Sequence, residues 1–397
     1  MDIRAKFLEM QPQIVEWRRE LHRAPEVGFD LPRTEAMVLR ELAKLNLDEV
    51  RGGMGGGDGN PSHGVIATLS GALPGKTLAL RADMDALPVA EETGLPFASE
   101  NGNMHACGHD AHVAMLLSAA KFLSEAREEL RGRIRFIFQP SEENFGSPSM
   151  IASGALENPA VDGIIGLHTG NLWEGLKPGQ IGFRVGEFMA ASDLMSIAVY
   201  GKDGHGAMPH NTVDAIAIAA QIITELQTLV SREISPFEPA VVSIGEVKAG
   251  STYNIIAGRC DMKGTLRTFK AGRDVLLRER VRAVTEGVAA SMRGRAEVNF
   301  ISPLKAVIND RFFAEKMKDV VTDAMGSEMI HEIELPASVS EDFCWYLTKV
   351  PGAFFAHCST FGDERDYPHH HPKFDVNESV LWTGGCALGA YALNWQK

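Results

Sequence analysis

Hydrophobic and polar positions along the first half of the chain follow two periods. Short runs rich in β-branched and aromatic residues predict four strands, at residues 63–69, 77–83, 133–139 and 163–168. Between the second and third strands, apolar residues recur at helical spacing and predict a helix; they are Val113, Leu116, Leu117, Ala120 and Leu123. Alternating strands and helices are typical of an α/β domain with a mainly parallel sheet, which binds ligands beyond the carboxyl ends of its strands.

The pattern changes near residue 191. Strand, helix, strand, strand, helix and strand are predicted in turn, at 194–200, 213–231, 240–248, 261–268, 274–292 and 295–301. This βαββαβ order is typical of a ferredoxin-like unit, so we interpret it as an inserted domain. A helix near 312–325, a strand at 353–358 and a histidine-rich loop then return to the first domain. The sequence therefore predicts a discontinuous α/β domain, residues 1–190 and 303–397, and an inserted domain, residues 191–302.

Composition narrows the range of partners. A chain of 397 residues exceeds the roughly 250–300 residues at which one hydrophobic core stops growing, which also favours two domains. The net charge of −13 argues against nucleic acid and anionic membranes as main partners, because both are bound through an excess of Lys and Arg.

The amino terminus is amphipathic, and no stretch of about 18 apolar residues follows, so we expect neither export nor a membrane span. Five scattered cysteines fit a reducing cytoplasm.

The glycine-rich segment at residues 51–60 stands apart from these patterns. It resembles a phosphate-binding loop only weakly, since it lacks the Gly-Lys-Ser/Thr ending and a following helix. We therefore predict a flexible surface loop there.

Metal-binding side chains concentrate in five short segments at predicted strand ends or in loops. Each segment alone has an ordinary explanation, such as a buried free cysteine or a solvated pair of glutamates. Together they offer thiolate, imidazole and carboxylate, the ligands that suit Zn²⁺, Mn²⁺, Co²⁺ or Ni²⁺ better than Ca²⁺ or Mg²⁺. The segments are 81–85, 107–110, 139–143, 167–168 and 368–372.

Spacing within two of these segments suggests different roles for neighbouring side chains. Cys107 and His109 are alternate residues before a helix, so both can turn toward one cluster. Glu142 and Glu143 are adjacent at a strand end and point in different directions. One glutamate can therefore bind metal while the other stays free, as a general base for water attack on an amide.

Seven motifs, spread over almost the whole chain, then point to a family. They are RADMDALP, MHACGHDAH, FQPSEE, GLH, GKDGHGAMPH, GTLRTF and HHHPKFDVNE. The chain resembles the aminoacylase-like zinc metallopeptidases, specifically their amidohydrolase branch, which includes hippurate hydrolases and hydrolases of auxin conjugates with amino acids. The resemblance implies two divalent ions per subunit, Zn, Mn, Co or Ni. It implies Glu142 as the base and five metal ligands: Cys107, His109, Glu143, His168 and His370.

The same resemblance implies roles for further residues. Among the three consecutive histidines, the H-x-P-x-F pattern selects His370, which leaves His369 and His371 as its neighbours. Other branches of the family carry a His-x-Asp segment where this chain has Asp83 and Asp85, so these aspartates are expected to orient ligand histidines and hold the loop. A purely structural role at a turn is the alternative for both. Asp110 could cap the following helix, and residues 340–343 match a family segment to which we assign no specific role.

Three residues of the inserted domain are implied to act on the substrate. His205 would polarise the scissile carbonyl, from its own chain or from a partner subunit, and Asn254 and Arg267 would bind the substrate's polar end. The alternative for Arg267 is an ordinary surface position on a strand. The inserted domain would serve as a lid and as the surface of a homodimer.

The expected activity is hydrolysis of the amide bond of N-acyl amino acids, which releases a carboxylate and an amino acid. A carboxypeptidase or dipeptidase on the same scaffold is the main alternative. A catalytically silent binding protein and a hydrolase with Cys107 as nucleophile are weaker ones. Residues 144–148 and 169–173 depart from the branch's usual sequence and are expected to shape the acyl pocket.

Overall fold

The computed structural model describes residues 2–56 and 61–396. Its contacts divide the chain into two units. The larger unit comprises Met1–Phe188, Ile308–Ala337 and Asp342–Lys397, and the smaller unit comprises Met189–Val307 and Ser338–Glu341. The short segment Ser338–Glu341 belongs to the smaller unit although it lies far along the chain from the rest of it.

Nine α-helices occur in the described residues, and each predicted helix is among them. Their bounds are α1 Ile3–His22, α2 Pro32–Leu42, α3 His109–Glu125, α4 Ser147–Ala152, α5 Ala215–Thr228, α6 Arg273–Ser291, α7 Arg311–Met325, α8 Cys344–Leu347 and α9 Leu381–Asn394. None of them combines the length and the apolar character that crossing a bilayer requires.

Sixteen strands are present in the same ranges, and the predicted strands are confirmed among them. Their bounds are β1 Glu49–Met54, β2 Gly64–Ser70, β3 Leu73–Asp83, β4 Arg131–Gln139, β5 Gly163–Gly170, β6 Ile181–Phe183, β7 Gly186–Met189, β8 Ala191–Tyr200, β9 Gly204–His205, β10 Ala240–Ala249, β11 Ile255–Ile256, β12 Arg259–Thr268, β13 Arg295–Leu304, β14 Val307–Asn309, β15 Ile330–Glu332 and β16 Gly352–Cys358.

The larger unit is built on an eight-stranded sheet of order β1-β2-β4-β3-β5-β16-β6-β15. Its four central strands, β4, β3, β5 and β16, run parallel, while β1 and β2 on one side and β6 on the other join through antiparallel pairs. The prediction of an α/β fold with a mainly parallel central sheet is confirmed. The carboxyl ends of the central strands therefore meet at one edge, where such sheets bind their ligands.

Helix α3 is the central helix of the larger unit and packs against α1 and α9. Almost all of its residues are buried, and so are those of α9, which explains why apolar residues predominate in both helices. Helix α1 instead buries one stripe, formed by Phe7, Met10, Ile14, Trp17 and Leu21. The apolar core thus surrounds α3 from its first turns onward.

The smaller unit follows the predicted order of elements, β8, α5, β10, β12, α6 and β13. These strands form an antiparallel sheet of order β10-β12-β8-β13. Buried and partly exposed residues alternate along β8, because one face of the sheet packs on α5 and α6. A separate apolar core, centred on Ile197, Ile222 and Leu277, results.

The glycine-rich segment 51–60 is only partly the loop that was predicted. Strand β1 extends to Met54 and pairs with β2, so the first part of the segment belongs to the sheet. Pairing with β2 outweighs the low strand propensity of glycine. The prediction of a loop is therefore wrong for residues 51–54. Residues 57–60 lie outside the described part of the chain.

Candidate metal centre

The candidate residues of the larger unit converge at the carboxyl edge of its sheet. Strand β3 ends at Asp83, β4 ends at Gln139, and β5 carries His168 two residues before its end. Helix α3 begins at His109, and the residue before it, Gly108, has φ +83°. A Cβ at Gly108 would lie 2.6 Å from the Thr169 side chain, so only glycine permits this tight turn between Cys107 and His109.

Two histidines of the predicted ligand set have their tautomers fixed by the backbone. His109 donates Nδ1–H to the carbonyl oxygen of Asp85 over 2.9 Å, and His168 donates Nδ1–H to that of Thr169 over 2.7 Å. Each neutral ring therefore keeps its lone pair at Nε2. Nε2 of His168 lies 3.4 Å from Cys107 Sγ, and no described residue hydrogen-bonds to the buried Nε2 of His109. This is how histidines that bind metals are held.

A third buried histidine, His112, is excluded as a ligand by its hydrogen bonds. Its ligand atom lies within 4.8 Å of those of Asp83 and His109, which alone would suggest a metal site. However, Nδ1 donates to Asp83 over 2.5 Å, and Nε2 accepts the backbone N–H of Thr169 over 2.8 Å. Both ring nitrogens are thus used, and His112 instead holds the strand position after His168.

Cys107, Glu143 and His370 form a second group whose ligand atoms lie within 4.8 Å of one another. Nε2 of His370 is 3.2 Å from Oε1 of Glu143. The backbone of His370 is also fixed, because its N–H donates to the carbonyl oxygen of Ala106 over 2.8 Å. The loop that carries His370 is therefore tied directly to the segment that carries Cys107.

Positive φ angles cluster around these residues. Ser141 has φ 60° and Phe145 has φ 64°, on either side of the 3₁₀ turn Glu142–Asn144, and His370 has φ 66°. This left-handed conformation is unfavourable for residues other than glycine, and it persists only where surrounding contacts impose it. Such strain is common at functional sites.

The electrostatics of the cluster favour a cation. Contacts with Cys107 and Glu143 raise the pKa of His370 to about 10. Burial opposes protonation of His109, but Asp83 and Cys107 outweigh it and raise the pKa of that imidazole. Burial also opposes ionisation of Glu143, yet the contact with His370 keeps its pKa below the ordinary value. The carboxylates of the site thus draw positive charge, as ligands of a divalent ion do, while burial and the charge of Glu143 raise the pKa of the Cys107 thiol.

The two adjacent glutamates have different surroundings. Their backbone N–H groups both donate to the carboxylate of Asp85, over 2.8 Å from Glu142 and 3.1 Å from Glu143. Glu143 then faces His370, whereas Oε1 of Glu142 accepts the backbone N–H of Asp342 over 3.2 Å. One carboxylate of the pair is therefore joined to a predicted ligand, and the other is held by a backbone group.

Asp342 is a residue of this site that the sequence left without a role. Its fully buried carboxylate accepts hydrogen bonds from Arg81 over 2.9 Å, from Gln139 over 2.8 and 2.9 Å, and from the backbone of Ser147 over 2.8 Å. These bonds satisfy the buried charge and fix the backbone N–H that contacts Glu142. The family match of residues 340–343 was the only sequence signal for it.

A second buried ion cluster fixes the start of α3. Asp110 Oδ2 accepts from Arg18 over 3.0 Å and from His22 over 2.7 Å, and Oδ1 accepts from the backbone of Ala111. Asp110 therefore lies within the helix and ties it to α1. It does not cap the helix from the preceding position. Because His109 is its neighbour, these contacts also constrain a predicted ligand.

The three candidates of the smaller unit are more exposed. His205, in β9, accepts the backbone N–H of Ala207 at Nδ1 over 3.1 Å, which leaves its proton on Nε2. Asn254 lies beside it, since its carbonyl oxygen accepts from Gly206 over 2.8 Å and β9 pairs with β11. Arg267 lies in β12 of the four-stranded sheet, half-buried, and donates to the carbonyl oxygen of Leu266 over 2.9 Å.

Within the larger unit, the structure thus brings all five predicted ligands to one place. Three of the groups whose ligand atoms lie within 4.8 Å of one another contain these ligands and overlap: Cys107 with His168 and His369, Cys107 with Glu143 and His370, and His109 with Glu142 and Glu143. A cysteine sulfur, imidazoles whose Nε2 atoms face the other candidate ligands and a carboxylate suit a borderline-soft divalent ion. The residues present fit a metal centre on chemical grounds.

Comparison with known proteins gives the same family as the motifs. An N-acyl-L-amino acid amidohydrolase of Geobacillus stearothermophilus is 41% identical over 305 residues, 76% of this chain and 79% of the relative. Thermostable carboxypeptidase 1 of Saccharolobus solfataricus is 34% identical and covers 98% of this chain and 97% of its own.

A solved structure supports the fold at similar identity. The YXEP protein of Bacillus subtilis, described as a dinuclear metal binding peptidase of the M20 family, superposes with a TM-score of 0.83 at 34% identity, covering 97% of this chain and 98% of that one. The model of peptidase family M20/M25/M40 matches residues 79–394. This range contains every residue of the cluster, and the chain belongs to peptidase family M20/M25/M40.

Proposed function

We propose that this protein is a dinuclear metal-dependent amidohydrolase that cleaves the amide bond of N-acyl amino acids. The observation that carries the proposal is the divergent pair Glu142 and Glu143 beside the cysteine and histidine cluster. Family membership and the amidohydrolase relative support the same chemistry. The products would be a carboxylate and a free amino acid.

Five side chains would hold two divalent ions, Zn, Mn, Co or Ni. Bound ions of this kind polarise carbonyl oxygens and make water more acidic. The fixed tautomers of His109 and His168 support their assignment as metal ligands. The contact between His370 and Glu143 supports the same role for these two residues. The remaining ligand is Cys107.

Glu142 is the proposed general base and acid. It would take a proton from the attacking water and return it to the departing amine, as amide hydrolysis requires. The hydrogen bond from the Asp342 backbone holds its carboxylate in place, and Asp85 holds its main chain. Asp83 would orient the helix by accepting from His112. A general base gains most from such fixed placement.

Residues of the smaller unit are proposed to act on the substrate. The exposed Nε2–H of His205 is a suitable donor to the oxyanion that develops on the substrate carbonyl. Arg267 can bind a carboxylate with two hydrogen bonds, and Asn254 offers an amide for the same polar end. We also propose that the smaller unit is the lid and the homodimer surface. The five free cysteines support a cytoplasmic location.

The decisive experiment replaces Glu142 with glutamine. Glu142→Gln should retain two metal ions per chain and lose roughly 100- to 10,000-fold in kcat on an N-acyl amino acid, because proton transfer contributes that much. Glu143→Gln is the matched variant and should lose metal as well as activity. Metal content is measured by mass spectrometry of the ions. Near-normal turnover of Glu142→Gln would reject the assigned base.

A metallo-carboxypeptidase or dipeptidase is the second candidate, favoured by the similarity to a carboxypeptidase. Both activities share the site and differ in the group that precedes the cleaved amide. The test compares kcat/KM for N-acetyl and N-benzoyl amino acids with kcat/KM for dipeptides that have a free amino group. Preference for the dipeptides would replace the proposed substrate class and leave the metal chemistry intact.

A further inference from the structure

His369 lies beside Cys107 but is not among the five proposed ligands. Its Nδ1 is 3.6 Å from Cys107 Sγ, and its Nε2 is 3.4 Å from the backbone nitrogen of Asn171. A backbone N–H can only donate, so Nε2 must be the accepting nitrogen. The neutral ring therefore carries its proton on Nδ1, the nitrogen that faces the sulfur.

The position of this ring is set by its neighbours. Phe374 packs on it with ring centroids 4.6 Å apart, and His168 meets it at 5.2 Å. Gly170 has φ +116°, and a Cβ there would lie 2.1 Å from Nε2 of His369. The chain thus provides a fitted place for this ring.

We propose that His369 is a positioning residue that donates Nδ1–H to the thiolate of Cys107 and does not itself bind a metal. The inference rests on the proposed function, because it requires Cys107 to be a metal ligand. A donor at this place stabilises the thiolate form that binds metal and fixes the direction of its lone pairs. It would thereby tune how strongly the sulfur binds the ions.

The competing assignment is that His369 is a ligand. Its ligand atom lies within 4.8 Å of those of Cys107 and His168, so distance alone allows this. The hydrogen bond from Asn171 argues against it, since that bond uses the lone pair a ligand would need. A metal at Nδ1 would require the other tautomer and would break this bond.

Cobalt-loaded enzyme tests first the ligand role of Cys107 and then the hydrogen bond from His369. Thiolate bound to Co²⁺ gives a sulfur-to-metal charge-transfer band in the near ultraviolet. The unaltered protein should show this band, and Cys107→Ser should lose it. A missing band, or a band that survives Cys107→Ser, would overturn the ligand role of Cys107 and the inference together.

Given that band, His369→Leu isolates the hydrogen bond. Loss of the donor raises the energy of the sulfur electrons, so the band should move to lower energy while two ions per chain remain bound. Metal affinity, measured by competition with a chelator, should fall by about 10-fold or more, as for other groups that hold metal ligands. His369→Asn places an amide N–H near the former Nδ1 and should restore much of both properties.

His371→Leu is the control in the same loop, because His371 contacts Tyr367 and the backbone of Lys373. It should leave the band and the affinity unchanged. His369→Phe provides a second test that keeps a planar ring against Phe374. Loss of one ion in His369→Leu or His369→Phe would show that His369 is a ligand, and an unshifted band in both would show that no hydrogen bond exists. Either result overturns the inference and leaves the proposed hydrolase intact.

Discussion

The two units differ in how much they organise their own candidate residues. In the larger unit, three of the five proposed ligands are buried, and Asp83, Asp85 and Asp342 are fully buried and hydrogen-bonded. In the smaller unit, His205 and Asn254 are exposed and contact mainly neighbouring backbone. The difference teaches that the fold itself preorganises the proposed ligands of the larger unit, whereas the candidate donors of the smaller unit are held mainly by neighbouring backbone groups.

The sheets show the same contrast. The last seven residues of β3 are all buried, which is typical of a parallel strand covered on both faces. Strand β8 alternates between buried and more exposed positions, which is typical of a sheet covered on one face. Substitutions at the proposed ligands of the larger unit, or at the buried groups that hold them, should therefore disturb metal binding, and substitutions at the candidates of the smaller unit should disturb turnover alone.

The largest expected effect is the loss of Cys107. Cys107→Ala should lower the metal content below two ions per chain and reduce kcat/KM by more than about 1000-fold, or about 4 kcal/mol of barrier. Cys260→Ala is the matched control, because Cys260 is a buried free cysteine in β12 of the smaller unit. It should keep both ions. Metal analysis of the two variants decides, and unchanged metal content in Cys107→Ala would remove the basis for the comparison.

Asp85→Asn should have the next largest effect. The backbone N–H groups of Glu142 and Glu143 both donate to the carboxylate of Asp85. The Asn side chain would place its own NH₂ donor against one of them, so one of these two hydrogen bonds would be lost. Metal affinity or activity should fall by about 10- to 100-fold. Asp261→Asn, at an exposed pair with Arg259 in the smaller unit, is the control and should change neither. Equal effects of both substitutions would contradict a specific role for Asp85.

His205→Ala should reverse the pattern, since it should spare the metals and lower turnover. Removing one oxyanion donor costs about 100- to 1000-fold in kcat. His210→Ala, an exposed histidine in the same segment, should behave as the unaltered protein. Metal content and kcat are measured side by side. A His205→Ala variant that loses ions would show that the smaller unit contributes to metal binding after all.

The sequence predicted the elements well because periodicity reports burial directly. The strands that end at Asp83, Gln139 and Gly170 could be placed together before the structure, since parallel strands align their carboxyl ends. The roles of His112 and Asp342 could not be predicted. His112 accepts the backbone N–H of Thr169, and Asp342 accepts that of Ser147. Tertiary packing decides which backbone group each side chain meets. His369 likewise differs from its two neighbours through tertiary contacts, with Cys107, Phe374 and Asn171.

The smallest expected difference between the units concerns pH. In the larger unit, His63 lies 2.5 Å from Glu35 and 3.0 Å from Asp30. Burial opposes protonation of His63, but the contact with Glu35 outweighs burial and raises the pKa of His63 above 6.5. The folded state thus binds the proton more tightly than the unfolded state. The stabilisation is complete below about pH 6.5 and is lost as the pH rises through the higher folded pKa.

The loss should be under about 1 kcal/mol, because the pair is partly solvated. His63→Gln should abolish this slope in the free energy of unfolding, measured with denaturant between about pH 6 and pH 9. In the smaller unit, the exposed pair of Arg280 and Glu233 keeps both charges throughout that range, so Glu233→Gln should leave the slope unchanged. A slope that persists in His63→Gln would assign the pH dependence to another group. The two units would then not differ in the way their surface charges respond to pH.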